Sequence, residues 1–341
     1  MGSFKSKLFK KSEEEDRLKL IPNSPLFPTP EEEDIAFENN KLRFDGLIGR
    51  EGCAILVRVI SNSTSDQYVL KVECSSTSAA EIESEMYSKL YGAKGVPVFY
   101  TNWIENGCTV LQIDNYGVKL TDFIELKGGL SRVEVYKLAP QMIAILEEVH
   151  KKGVIHGDVK TSNFVFGMGH NAGELQLIGF NHAENAITHD EGFCDKFKRI
   201  PRGTGYYLSA NLHRYCHGSP RDDLESLVYC LLEMLGIQLP WTMMREPQSF
   251  VDHQMMFQMK MGNTSGAGLC EFVPIQEMLG MCRALTCQEK PNYDEVKQLF
   301  SCPYVRAMRE VKPSFPYDAW KIEKWEESDL EILKRFDIRE L

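Results

Sequence analysis

The spacing of apolar residues changes period along the chain. Between residues 41 and 113 it fits strands: Ala54–Ile60, Gln67–Val72 and Cys108–Ile113 are rich in β-branched and apolar residues, with turn formers between them. Residues 79–91 interrupt this run, because Ile82, Met86 and Leu90 recur at helical spacing. From about residue 119 the helical period takes over. Ser131-x-x-Glu134 has the form of a capping box, Leu138, Met142, Ile145, Leu146 and Val149 share the face that follows, and Gly153 suits the end. After Asp222, the apolar residues Leu224, Leu227, Val228, Leu231, Leu232 and Leu235 cover much of a helix, which predicts a central position. A small β-rich part followed by a larger helical part is an α+β design, and ligand sites concentrate at such junctions.

The ends read differently. Lys5, Lys7, Lys10 and Lys11 give way to Glu13–Asp16 and then to Pro22, Pro25, Pro28 and Pro30, a pattern that disfavours a packed core. The expected organisation is a flexible charged tail over 1–33, a β-rich lobe over 34–116, a helical lobe over 117–310 and an extension over 311–341. In that extension Glu327–Leu341 is expected to form a short helix presenting Leu330, Ile332, Leu333 and Phe336, with Trp320 and Trp325 favouring docking. Hydrophobic residues make up 43%, no apolar run has transmembrane length, and no apolar leader stands near the start, so the expected location is cytoplasmic, nuclear or both. The net charge of −10 argues against nucleic acid as a partner of the whole surface. Ten cysteines without a C-x-x-C pair predict reduced, mostly buried thiols. Met1-Gly2-Ser3-Phe4-Lys5-Ser6 fits N-myristoylation at Gly2, and Lys7, Lys10 and Lys11 would supply the basic second signal for peripheral membrane contact. The acidic block at Glu13–Asp16 opposes it, and a plain flexible tail or a cloning remnant is the other reading.

The densest chemistry lies in His156-Gly157-Asp158-Val159-Lys160-x-x-Asn163. Phosphoryl transfer needs a carboxylate to take the hydroxyl proton, a cation near the transferred group and an oxygen ligand for metal. Asp158, Lys160 and Asn163 have those chemistries. His213-x-x-Cys216-His217 has metal-binding residue types, but a loop is the preferred reading.

From roughly Leu42 to Tyr304 the chain resembles the casein kinase 1 superfamily of protein kinases, including its tau-tubulin kinase and vaccinia-related kinase branches. The strings that carry the resemblance are Ile82-Glu83-Ser84-Glu85-Met86-Tyr87 with Gly92 and Gly95-Val96-Pro97, His156–Asn163, Arg202-Gly203-Thr204 with Ser209, Arg221-Asp222-Asp223-Leu224-Glu225-Ser226-Leu227, and Leu239-Pro240-Trp241. The resemblance implies a bilobal protein-kinase-like fold with a small β-rich N-lobe and a larger helical C-lobe. It implies catalytic roles for Asp158, Lys160 and Asn163, and nucleotide-binding roles for Gly49, Lys71 and Glu83, the last as partner of Lys71. It makes Asp223 the brace of the catalytic loop.

Three departures bear on chemistry. The phosphate-covering loop reads Gly49-Arg50-Glu51-Gly52-Cys53-Ala54, with Glu51 where a second glycine is expected. A like charge 4–6 Å from phosphate costs on the order of 1–4 kcal/mol. The strand Leu175–Ile178 is followed by Gly179-Phe180-Asn181, which puts Gly179 where the family has its metal-binding Asp, so no metal ligand is assigned. Magnesium prefers anionic oxygen, and losing roughly 4–6 kcal/mol of its stabilisation slows transfer about a thousandfold to ten-thousandfold. Asn181 and Glu184 are the nearest replacement donors. Tyr206 stands where relatives carry a phosphate-binding Arg, and a phenol makes no bidentate ion pair. Two readings follow. One is a pseudokinase acting as a protein-binding scaffold or regulator of signalling. The other is an active but atypical ATP-dependent serine/threonine kinase with a protein substrate. ATP is the candidate cofactor, held weakly or without magnesium.

Overall fold

The computed structural model describes residues 36–37, 41–51, 54–73, 79–105, 107–168, 171, 173–186, 201–262 and 272–310. The expected tail with Gly2 and the expected helix at Glu327–Leu341 lie outside them. The chain divides into two compact units, Met1–Cys74 with Trp103–Val110, and Ser75–Asn102 with Leu111–Leu341.

The first unit is built on antiparallel strands β1 (Ala36–Phe37), β2 (Leu42–Glu51), β3 (Ala54–Ser61) and β4 (Gln67–Glu73). Strands β5 (Phe99–Glu105) and β6 (Cys108–Asp114) complete the sheet in the order β1-β2-β3-β4-β6-β5, and the division between the units falls inside them. Leu42, Ile55, Val57, Val59, Leu70, Val72, Cys108 and Val110 form the core of this unit, with Phe44, Tyr68 and Trp103 packed on it. Strand β3 is buried on nearly every residue, which is why it reads as a continuous apolar run instead of an alternation. Cys108 is disulfide-bonded, which corrects the all-thiol expectation; sequence spacing does not reveal which cysteines a sheet sets side by side. Cys216, Cys230, Cys282 and Cys287 are thiols.

The second unit begins with α1 (Ala79–Lys89). Of the face the apolar spacing predicts, Met86 and Leu90 are buried and Ile82 is half-buried, and Glu83 and Tyr87 are buried beside them. Next come β7 (Tyr116–Lys119), α2 (Leu120–Lys127) and α3 (Arg132–Lys151). The Ser131–Glu134 capping box forms as expected, and α3 continues through Pro140, its buried apolar face outweighing a break that costs about 3 kcal/mol. Gly153 adopts φ +70°, and its N–H reaches the His150 carbonyl at 2.9 Å. Short strands β8 (Val154–Ile155), β9 (Phe164–Gly167), β10 (Leu175–Leu177) and β11 (Glu184–Asn185) form two small sheets, β10-β9-β7 and β11-β8.

Four helices follow: α4 (Pro220–Met234), α5 (Phe250–Gly262), α6 (Val273–Ala284) and α7 (Tyr293–Glu310). Helix α4 is central, as its apolar surface predicts. Leu224, Leu227, Val228, Leu231 and Leu232 are buried, and α3 and α6 pack against it. It starts at Pro220, before Asp222, because Asp222 Oδ2 caps it, accepting from Ser219 N at 2.9 Å and Ser219 Oγ at 2.6 Å. The described residues thus form a small sheet-rich lobe and a larger helical lobe with seven α-helices, the α+β architecture expected.

Candidate functional site

The segment after β8 is held from beneath by Asp223, in the first turn of α4. Its carboxylate accepts from His156 N (2.7 Å), Gly157 N (2.9 Å) and His150 Nε2 (2.8 Å). His150 Nδ1 lies 2.6 Å from the Tyr293 hydroxyl on α7. Burial alone would raise the Asp223 pKa, but His150, His156 and the Gly157 N–H bring it below the usual carboxylate value. Gly157 has φ +74°, and a Cβ there would sit 3.0 Å from the His182 carbonyl oxygen, so any larger residue is strained. His156 is fully buried; its Nε2 faces the Ile178 carbonyl at 3.1 Å and its Nδ1 accepts from Asp158 N at 3.2 Å. A carbonyl only accepts and an amide only donates, so the ring is neutral with its proton on Nε2. Burial pushes its pKa down in agreement.

The three candidate catalytic residues come together around Asp158, which is 4% exposed. Lys160 Nζ lies 2.7 Å from Asp158 Oδ2 and donates to Thr204 Oγ1 at 3.0 Å. Thr204 N donates to Asp158 Oδ1 at 2.6 Å. Asn163 Nδ2 donates to the Asp158 carbonyl (2.8 Å) and to Oδ2 (3.3 Å). Burial would raise the Asp158 pKa, but the Lys160 charge and these hydrogen bonds hold it below the ordinary value. The carboxylate is therefore ionised at neutral pH, with lone pairs left for one more donor.

Phe180 fixes the register after β10. Its ring meets Tyr87 at 5.1 Å and His156 at 4.8 Å, both edge-on, and its N–H donates to Glu83 Oε1 at 3.2 Å. Glu83, 1% exposed on α1, thus serves the turn that Gly179 opens. Gly179 has φ +83°, and its absent Cβ would point at the Asn163 amide, 3.1 Å from Cγ, Nδ2 and Oδ1. Magnesium takes oxygen ligands, and position 179 supplies no carboxylate for it; the Asn163 amide is bound to Asp158 through its nitrogen, which leaves its oxygen, and Glu184 Oε1 accepts from Gly218 N at 2.9 Å. Among the described residues no cluster of three or more His, Cys, Asp or Glu side chains could hold a metal. Of the string His213-x-x-Cys216-His217, His213 is buried in a short 3-10 helix, its Nδ1 2.8 Å from His253 Nδ1.

Gly49 and Lys71 belong to the sheet unit, on β2 and β4. Lys71 is 7% exposed, and its Nζ lies 3.5 Å from Glu51 Oε2. Glu51 therefore holds its charge beside Lys71, the lysine that the resemblance assigns to phosphate.

Sequence reasoning missed how the segment 203–208 is secured. Lys260 on α5, with no exposed surface, donates to the carbonyls of Gly205 (3.0 Å), Tyr206 (3.1 Å) and Leu208 (2.6 Å), and lies 3.0 Å from His213 Nε2. Its ammonium also lies over the Tyr229 and Trp241 rings, at 4.9 and 5.3 Å. Burial drives the Lys260 pKa well down, and burial with the Lys260 charge pushes His213 down to about 2, so His213 stays neutral. Glu246 accepts from Gly205 N, and Trp241 Nε1 donates to the Tyr206 carbonyl at 2.9 Å. The Tyr206 hydroxyl donates to the Met244 carbonyl at 2.9 Å, so this residue is spent on backbone. The one sequence signal was a lysine inside the apolar run Met255–Met261.

A family model described as protein kinase domain matches residues 43–298, well over half of the 341-residue chain. The matched span contains every candidate site residue except Gly2.

Proposed function

The chain belongs to the protein kinase domain family, and from that premise we propose a casein kinase 1-like pseudokinase: a domain whose phosphoryl transfer is lost or strongly impaired and which acts through protein contacts as a scaffold or regulator of signalling. The observation that carries the proposal is Gly179, a residue without a carboxylate beside Asn163 in the turn that Phe180 anchors. The Glu51–Lys71 contact supports it, since a nucleotide's phosphates would meet a carboxylate already at that lysine. ATP then binds weakly or without magnesium. The test is γ-phosphate transfer by the purified full chain, with Asp158→Asn as control. The proposal expects no Asp158-dependent transfer; turnover near the ~1–100 s⁻¹ usual for kinases, abolished by the substitution, refutes it.

The second reading, an active atypical serine/threonine kinase, draws on one observation: Asp158, Lys160, Asn163 and Thr204 form an ordered, ionised constellation. Thermal shift separates the two, because only the enzyme gains added stabilisation from ATP when magnesium is present. The location we propose is cytoplasm or nucleus, with peripheral membrane contact if Gly2 is acylated. Intact-mass measurement of cell-derived protein reads that directly, and an unmodified Gly2 removes it.

A further inference from the structure

The helical unit has a polar pocket lined by none of the catalytic-loop residues. Its cavity of about 210 Å³ gathers Arg214, Arg221 and Arg283 beside Phe257 and Met261. Two carboxylates also line it, and both are committed. Glu225 Oε1 accepts from Arg283 Nη2 (2.9 Å), Ala210 N (3.2 Å) and the Tyr229 hydroxyl (2.5 Å). Asp222 is shared between the hydroxyls of Ser209 and Ser219, each at 2.6 Å.

The other two guanidiniums are held less closely, Arg221 by a longer ion pair with Asp222 and Arg214 by a ring face. Arg221 Nη1 donates to the Leu285 carbonyl, but its Nε is buried without a hydrogen-bond partner, 4.0 Å from Asp222 Oδ2. Arg214 is exposed at the rim, its guanidinium 5.7 Å from the Phe257 ring centre. Along α5, Phe250, Phe257 and Met261 fall on one side at helical spacing, and Phe250 and Met261 are about half exposed. The pocket thus joins a guanidinium with one unmade N–H and an exposed guanidinium to an apolar ledge.

We infer that this pocket docks a protein segment through one oxyanion-bearing side chain, phosphate or carboxylate, with apolar neighbours lying along Phe257 and Met261. Arginine suits that group because its planar fork binds two oxygens at once. The docking is independent of phosphoryl transfer.

The test uses the full chain labelled with ¹³C at methionine methyls, the Met261 signal being identified by Met261→Leu. Inorganic phosphate, N-acetyl-phosphoserine and N-acetyl-glutamate are titrated in turn. A saturable Met261 shift is expected, weakened at least about tenfold, or ~1.4 kcal/mol, by Arg214→Ala or Arg221→Met and untouched by Asp158→Asn. Whichever amino-acid derivative binds more tightly names the docked group. Tightest binding by inorganic phosphate assigns a free ion and overturns the docking. So does the absence of a saturable shift with any probe, or equal affinity in both arginine variants.

Discussion

Gly179→Asp returns a carboxylate to the turn after β10, and both of its consequences can be worked from the geometry. Position 179 sits at φ +83°, where an L-residue costs about 1 kcal/mol, aspartate being among the better tolerated. Its Cβ would stand 3.1 Å from the Asn163 amide, which two hydrogen bonds to Asp158 hold in place, so Asn163 must give by a few tenths of an ångström. Together these destabilise the fold by about 1–2 kcal/mol, a fall in Tm of roughly 2–6 °C. Against this, a charged metal ligand recovers part of a stabilisation of several kcal/mol, and 4 kcal/mol is about a thousandfold in rate. Glu51 still opposes phosphate, so the single variant is expected to gain about 10- to 1000-fold in transfer of radiolabelled γ-phosphate to itself or to casein. The gain should require magnesium and vanish with Asp158→Asn. If the wild type already turns over at ~1 s⁻¹ and Gly179→Asp adds nothing, the reasoning fails. It fails equally if the folded Glu51→Gly, Gly179→Asp double variant stays inert, because then the missing carboxylate is not what limits the chemistry.

Glu51→Gln removes the charge 3.5 Å from Lys71 and should tighten magnesium-free ATP binding about tenfold, read by calorimetry; unchanged affinity would show that Glu51 does not compete for the lysine. Lys260→Met strips three backbone carbonyls of their shared donor and should destabilise the chain by about 2–4 kcal/mol in urea, with hydrogen-exchange protection lost first at 203–208; uniform loss would make Lys260 ordinary core. Asp223 has a lowered folded pKa, so its contribution is present above the unfolded value near pH 4 and is lost as pH falls through the folded value. Asp223→Asn, neutral throughout, should cost about 3–5 kcal/mol at pH 7 and flatten that part of the acid limb; an unaltered limb would rule the group out.

The strands, the capped helix and the central helix were legible in the sequence because their signals are local: β-branched runs, Ser131 three residues before Glu134, apolar residues around α4. What stayed hidden depends on partners distant in sequence. The apolar spacing of α1 marked Met86 and Leu90, which are buried, but it gave no sign that Phe180 N, almost a hundred residues on, donates to the buried Glu83 carboxylate beside them. Lys260 was passed over because a lysine inside a helix reads as a surface residue until the carbonyls of 205–208 close around it. The catalytic string was the easiest feature to find, yet its residues also carry structural duties. Asp158 accepts from Thr204 N, and Asn163 donates to the Asp158 carbonyl, so both shape the loop whether or not phosphate is ever transferred. Their presence is what the fold requires in either case. Gly179 also has a structural part, its φ of +83° suiting the turn it opens, but a carboxylate's absence there and its presence at Glu51 are the departures that bear most directly on chemistry. The discrimination between enzyme and scaffold therefore rests on those two positions and not on the motif that first drew attention to the chain.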